Sequence, residues 1–129
     1  APEDPRDRIF GYLDLREALL TGAVPEYTCL AGTLLQEIHN TTPGIAAAAW
    51  QAIDSHIRTL EPDFAEALAR YRAADAPDAL SLARLTQSVL QGAFILAKGE
   101  GTPDAAHEGI DHLRRYFRYL FPEREDPAK

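Results

Sequence analysis

The residue that most constrains this chain is alanine. The sequence holds 22 alanines and only two valines among 129 residues. Alanine enters a helix at the lowest cost in free energy, whereas β-branched residues such as valine suit the pleated surface of a sheet. The composition therefore predicts an all-α fold and excludes an all-β fold. The length predicts one domain, because compact domains cluster at about 100–150 residues.

Prolines, glycines and capping side chains divide the chain into five predicted helices. Asp4-Pro5, Thr42-Pro43 and Thr102-Pro103 each place a capping residue before a proline that suits the first turn of a helix. Pro62 lies inside the third helix and predicts a kink or a brief break near Thr59 and Leu60. With their end signals, the predicted helices span residues 4–22, 28–41, 42–71, 76–101 and 102–121. Residues 1–121 are expected to form the domain and 122–129 a polar tail.

The fourth and fifth helices carry more apolar surface than one face needs. The fourth is apolar on almost every side from Val89 to Ala97, and the fifth is rich in aromatic residues. A helix that is apolar nearly all round is buried on all sides, which predicts a homodimer with a four-helix bundle across its interface. The alternative to a homodimer is that the fourth helix is simply the central helix of a monomer. The expected interface contacts are Phe94 or Ile95, His112, Leu113, Tyr116 and Phe117.

The net charge and the cysteine count bear on the partners and the location of the protein. The net charge of -7 opposes direct contact with a nucleic acid, whose phosphates are negative. Neither a signal peptide nor a continuous apolar run of the ~20 residues that span a bilayer is present. A single cysteine cannot form an internal disulfide, so a cytoplasmic location is expected. The chain begins with Ala1 and contains no methionine, which is expected of part of a longer product.

Two segments carry a resemblance to a known family. Residues 29–37 follow the order Cys-Leu-x-x-x-Leu-x-x-Glu, and residues 90–98 form an apolar run with an early glycine and an Ala-Lys end. In this order they resemble the regulatory half of bacterial TetR-type transcriptional repressors. The resemblance implies an effector-binding domain that dimerises through its last two helices. It also implies an N-terminal helix-turn-helix that reads DNA, which this chain lacks, so DNA is a partner only through that missing part.

The same resemblance implies a small-molecule cavity among the first four helices. We expect a volume of ~300 Å³ or more and a ligand that is mostly apolar or aromatic. The expected ligand-binding residues are Phe10, Tyr12, Leu13, Tyr27, Cys29, Leu30, Thr33, Leu34, Trp50, Gln87, Gln91 and Phe94.

Cys29 is the residue with intrinsic nucleophilic chemistry that the motif singles out. If Thr28 caps the second helix, Cys29 lies in its first turn, where the helix dipole favours the thiolate. Electrophile-sensing members of the TetR family use the cysteine of this order for redox sensing, and the resemblance extends that role to Cys29. The alternative is a small, inert side chain packed at a helix start.

Enzymatic and metal-binding functions find little support in the sequence. No glycine-rich phosphate loop, no Gly-x-Ser-x-Gly elbow and no Cys-x-x-Cys pair occurs, so we expect no enzyme and no cofactor. The pairs Glu108/His112 and Asp104/His107 share helix faces, but convergent ligands from other helices are not evident, so no metal site is expected. A helical dimerisation module without a ligand remains a competing interpretation, and it predicts a filled core.

Overall fold

The structure, a computed structural model, describes residues 3–22, 29–71 and 75–123. Within these ranges the chain forms five α-helices and no strand, so the expected all-α class is confirmed. The helices, numbered in chain order, are α1 (Pro5–Ala18), α2 (Leu30–Ile38), α3 (Pro43–Arg70), α4 (Ala79–Glu100) and α5 (Asp104–Leu120).

Local sequence signals account for several helix ends. The carboxylate of Asp4 accepts a hydrogen bond of 2.9 Å from the N–H of Arg6 and so caps α1. The carboxylate of Asp78 accepts from the N–H of Ser81 at 2.8 Å and caps α4. Gly101 ends α4 in the left-handed conformation with φ of 75°, which costs glycine no steric strain. Thr42 occupies the N-cap position of α3 without a side-chain capping bond.

The structure differs from the sequence-based expectation at three helices. Helix α2 begins at Leu30 with Cys29 as its N-cap, so Cys29 lies one position before the first turn. Helix α5 begins at Asp104 with Pro103 as its N-cap, so Thr102 is not the cap and Pro103 precedes the first turn.

Helix α3 continues through Pro62 without a break. Ile57 on one side of the proline and Phe64 on the other are both buried. Burial of both flanking turns holds α3 as one helix, although proline removes one backbone donor.

The core lies between α1, α3, α4 and α5. The rings of Phe64 on α3 and Phe117 on α5 meet edge to face with centroids 5.1 Å apart. Leu13 from α1 and Leu90 from α4 are buried in the same cluster. Helix α2 packs mainly on α3, outside this cluster. The bundle therefore has a tightly packed end and a looser side beneath α2.

Two further features join α5 to its neighbours. A Cβ added to Gly109 would lie 3.0 Å from Cγ1 of Val89, so α5 and α4 cross closely at this glycine. The guanidinium of Arg114 donates hydrogen bonds of 2.8 Å to Asp14 and Glu17 on α1 and of 2.9 Å to Asp111 on its own helix. Arg114 thus joins α5 to α1 and also pairs within its own helix.

Helix α4 is buried on one face and exposed on the other. Leu82, Leu90 and Phe94 are in the core, whereas Ile95 and Leu96 are 48% and 57% exposed. A single chain therefore leaves one face of α4 uncovered, and the predicted covering of that face by a second copy stays a prediction. Among the described helices, only α4 has the length and apolar composition of a membrane span, and core helices of bundles share those properties.

Candidate functional site

A cleft opens where α2 lies over α1, α3 and α4. Its volume is about 180 Å³, and it is partly open to solvent. The cleft is smaller than the ~300–1,000 Å³ of drug-sized sites, so it has room for a small organic molecule. Its lining residues are Arg16, Cys29, Ala31, Ala52, Ile53, His56, Gln87 and Gln91. The helices α1 to α4, or the residues that cap them, each contribute to the lining of the cleft.

A chain of hydrogen bonds joins three helices at the wall of the cleft. The Nε2 atom of Gln87 on α4 donates to the hydroxyl of Tyr12 on α1 at 3.0 Å. That hydroxyl lies 2.8 Å from Nε2 of His56 on α3. The Tyr12 hydroxyl can accept from Gln87 and donate its own proton to His56 when the imidazole is neutral and unprotonated at Nε2. The network holds the His56 and Gln87 side chains in place.

The environment of this network changes the protonation of its members. Burial lowers the pKa of His56, and the positive charge of Arg16 lowers it further. Burial also raises the pKa of Tyr12. Both shifts favour the uncharged forms of these two side chains.

Arg16 is the fixed positive charge of the cleft. Its guanidinium lies 5.9 Å from the ring centroid of Tyr12 and 5.7 Å from that of Phe94, a distance at which a cation is attracted to an aromatic face. No carboxylate of the described residues lies within ion-pair distance of it, whereas Arg6, Arg8, Arg58 and Arg114 each have an acidic partner.

Cys29 lies at the start of α2, where the helix meets the cleft. Its Sγ accepts a hydrogen bond of 3.4 Å from the N–H of Gly32, so the thiol serves as the cap of α2. The side chain is half-buried and its sulfur is free of disulfide bonding. Cys29 was expected at the edge of a cavity, and the structure places it in the lining of the cleft.

Gly32 permits the close approach of α2 to α4. A Cβ at this position would overlap the side-chain amide of Gln91 on α4. Because Gly32 has no side chain, the Gln91 amide can lie against the backbone of α2 at the rim of the cleft. A larger residue at position 32 would push the flexible amide into the cleft.

The structure brings together a minority of the expected ligand-binding residues. Cys29, Gln87 and Gln91 line the cleft, and Tyr12 belongs to the adjoining network. Tyr27 and the side chain of Leu30 lie outside the described residues. The expected residues that the structure places elsewhere are Phe10, Leu13, Thr33, Leu34, Trp50 and Phe94.

Each of these six residues lies outside the lining of the cleft. Leu13 and Phe94 are buried in the core, and Trp50 is 46% exposed. Phe10 lies beneath Arg6, with 4.6 Å from the guanidinium carbon to the ring centroid. The hydroxyl of Thr33 donates to the carbonyl of Cys29 at 3.0 Å and accepts a hydrogen bond from Lys98. Leu34 is half-buried on α2 and is absent from the lining.

Arg16 and His56 are the polar cleft residues that the sequence did not predict, and the apolar Ala31, Ala52 and Ile53 were not predicted either. His56 interrupts an apolar stripe on α3, between Ile53 and Ile57. A polar side chain in such a stripe is a signal for a buried hydrogen bond or a site, and it was available in the sequence. Arg16 has no comparable signal, because exposed arginines are common on helices.

Some of the expected interface residues are exposed, and others are buried in the core of the chain. Ile95 and His112 are exposed on α4 and α5, and Tyr116 is half-buried beside Phe117. Leu113 and Phe117 are 2% and 0% exposed within one subunit, so they belong to its own core. Their spacing on α5 correctly marks an apolar face, and that face packs against α1, α3 and α4 of the same chain.

The remaining histidine on α5 has a local partner. Nδ1 of His107 lies 2.9 Å from a carboxylate oxygen of Glu17 on α1. Among the residues that the structure describes, no group of three or more histidine, cysteine or acidic side chains is arranged to hold a metal ion.

Comparisons with known proteins leave the family open. No family model, no curated protein and no solved structure matches the chain.

Proposed function

We propose that this chain is the effector-sensing and dimerisation domain of a TetR-type transcriptional regulator. A small molecule enters the cleft beneath α2, and its binding controls a DNA-reading part that is not in this sequence. The cleft carries the proposal, because residues from α1 to α4 converge on it with polar groups that a packed core would not need. The proposed location of the regulator is the cytoplasm, where both DNA and small metabolites are accessible to it.

Binding changes function through the spacing of helices. The Tyr12 network ties α1 to α3 and α4 at the wall of the cleft. A ligand that fits one arrangement of these helices better than another shifts the population towards that arrangement by its differential affinity. Such coupling is typically worth about 1–3 kcal/mol. A DNA-reading part joined to α1 would sense the shift.

A screen of small metabolites by thermal shift tests the binding function. Ala52→Trp, which fills the cleft, should abolish stabilisation by any compound that binds there, whereas Ala47→Trp on the exposed side of α3 should leave it intact. Stabilisation by no compound would favour the module that only dimerises. A response to thiol-reactive electrophiles alone, lost in Cys29→Ser, would favour a thiol-based sensor.

The regulatory role has a separate test. A helix-turn-helix encoded directly before Ala1 in the parent gene is expected, and a different fold there would contradict the proposal. This chain alone should not bind duplex DNA, because its net charge is -7. Tight, salt-sensitive binding of the isolated chain to DNA would contradict this assignment of roles.

The exposed faces of α4 and α5 support a two-fold dimer. Ile95 and Leu96 expose apolar surface on α4. On α5 the exposed Glu108 lies towards the start, and the exposed Arg115 and Arg118 lie towards the end. Two antiparallel copies of α5 would bring the acidic half of each helix against the basic half of the other. The partner is therefore a second copy of this chain.

Sedimentation equilibrium at micromolar concentration tests the dimer. Ile95→Glu should release monomer, because it places a charge at the centre of the interface. Ile45→Glu is the matched control, since Ile45 on α3 is 49% exposed and lies outside the proposed interface. Monomer in the unmodified protein, or equal effects of both substitutions, would contradict the dimer.

A further inference from the structure

We propose that the ligand of the cleft is a small organic carboxylate that also carries a hydrogen-bond donor, with its carboxylate held by Arg16. This inference rests on the proposed binding function. It differs from the sequence-based expectation of a mostly apolar or aromatic ligand.

Arg16 is positioned to bind an anion. Its guanidinium lies at the cleft and over the rings of Tyr12 and Phe94, while no acidic residue of the described ranges pairs with it. Contact with aromatic faces and a hydrogen bond to the Tyr12 side chain leave other N–H groups at the edge of the guanidinium plane for a ligand. These donors form a fork that matches the two oxygens of a carboxylate.

The described residues that line the cleft give it a positive charge. None of them is an aspartate or a glutamate, and among them Arg16 alone has a fixed charge. His56 takes part as a neutral acceptor from Tyr12. A positive cleft of this kind favours an anion over a neutral or cationic ligand.

Gln87 would supply a second polar contact to the ligand. This side chain is only 5% exposed, and its Nε2 donates to Tyr12. No described residue donates to its Oε1, although buried polar atoms nearly always have a partner. A hydroxyl or amine of a ligand would supply the missing donor.

The remaining wall sets the size of the ligand's body. Ala31, Ala52 and Ile53 present apolar surface, and the volume is about 180 Å³. A six-membered ring with two substituents meets these conditions. The compound 4-hydroxybenzoate has a carboxylate, a donor and a compact apolar ring, and 4-hydroxybenzamide is its uncharged counterpart.

Calorimetric titration with these two probes tests the proposal. The amide should bind at least about tenfold more weakly than the acid, because a charge-assisted hydrogen bond is replaced by a neutral one. Arg16→Gln should reduce the affinity for the acid to that for the amide. Arg16→Lys should retain part of the preference, since it keeps the charge and loses the fork. Arg58→Gln, an equal change of charge at an exposed position of α3 outside the cleft, should bind like the unmodified protein.

Several outcomes would overturn the carboxylate assignment. They are equal affinity for acid and amide, unchanged affinity of a folded Arg16→Gln protein for the acid, equally effective competition by inorganic phosphate, and the absence of binding by either probe. Circular dichroism shows whether the variants fold. Binding of an uncharged compound that Ala52→Trp abolishes would then leave the proposed function standing without the carboxylate.

Discussion

The hydroxyl of Tyr12 and the Nε2 of His56 are 2.8 Å apart, although 44 residues separate them in the chain. While the imidazole is neutral, the Tyr12 hydroxyl can donate its proton to His56 and accept from Gln87 at the same time. Burial lowers the pKa of His56 and so keeps it neutral in the folded protein. Protonation of His56 removes the acceptor and leaves two positive groups, His56 and Arg16, beside each other.

Stability should therefore fall as the pH drops below the ordinary histidine pKa of about 6.5. In that window the unfolded chain binds a proton at His56 and the folded chain does not, so acid favours unfolding. Urea unfolding at about pH 8 and about pH 5 measures the loss, because the lowered pKa values of Asp4 and Glu17 act below 4.5. His56→Gln should show a smaller loss than the unmodified protein, and His39→Gln should show the same loss. Equal pH dependence in all three proteins would contradict the role of His56.

Leu113→Ala should destabilise the subunit by about 2–5 kcal/mol, because it removes buried methyl groups and leaves a cavity. Leu113 is 2% exposed. Leu15→Ala is the matched control at a site that is 56% exposed, and its effect should stay within about 0.5 kcal/mol. Denaturant unfolding measures both. A near-neutral Leu113→Ala protein would argue against its place in the core.

Gly109→Ala and Gly11→Ala should differ by about 1 kcal/mol or more in stability, with Gly11→Ala the more stable. Alanine favours a helix over glycine at both positions, and a Cβ at Gly11 would meet no atom within 4 Å. At Gly109 it would meet Val89 and Ala93 of α4, at 3.0 and 3.5 Å. Thermal unfolding compares the two proteins, and equal gains would show that α4 and α5 do not cross closely at Gly109.

Glu17→Gln should cost about 1 kcal/mol at low ionic strength and less in ~1 M salt, where charges are screened. Glu17 accepts from Arg114 at 2.8 Å and joins α1 to α5. The Arg114 bond lowers the pKa of Glu17, so its contribution is present above pH 4.5 and is lost as the pH falls. Glu37→Gln at an exposed position of α2 serves as the control and should change little. A loss of stability in Glu17→Gln that does not depend on salt would contradict an ionic contribution of Glu17.

The sequence by itself determined the fold class and most helix ends. Asp4, Asp78 and Gly101 act on backbone groups within four residues of themselves, so their effects are readable from local order. Cys29, Gln87 and Gln91 were also identified as candidate binding residues before the structure showed them around one cleft. The continuity of α3 through Pro62 was not readable, because burial on both sides of the proline outweighs its local effect.

Only the tertiary structure decided which surfaces meet. The apolar spacing of Leu113 and Phe117 shows that one face of α5 is buried, and the same pattern suits a subunit core and a dimer interface. Arg16 and His56 acquire their position in the cleft from helices that pack together across long separations in the chain, as Tyr12 and Gln87 do across 75 residues. Helix periodicity specifies the face of a helix that avoids water. The surface that covers this face is decided by how the five helices pack. The same packing leaves Arg16 without an acidic partner among the described residues.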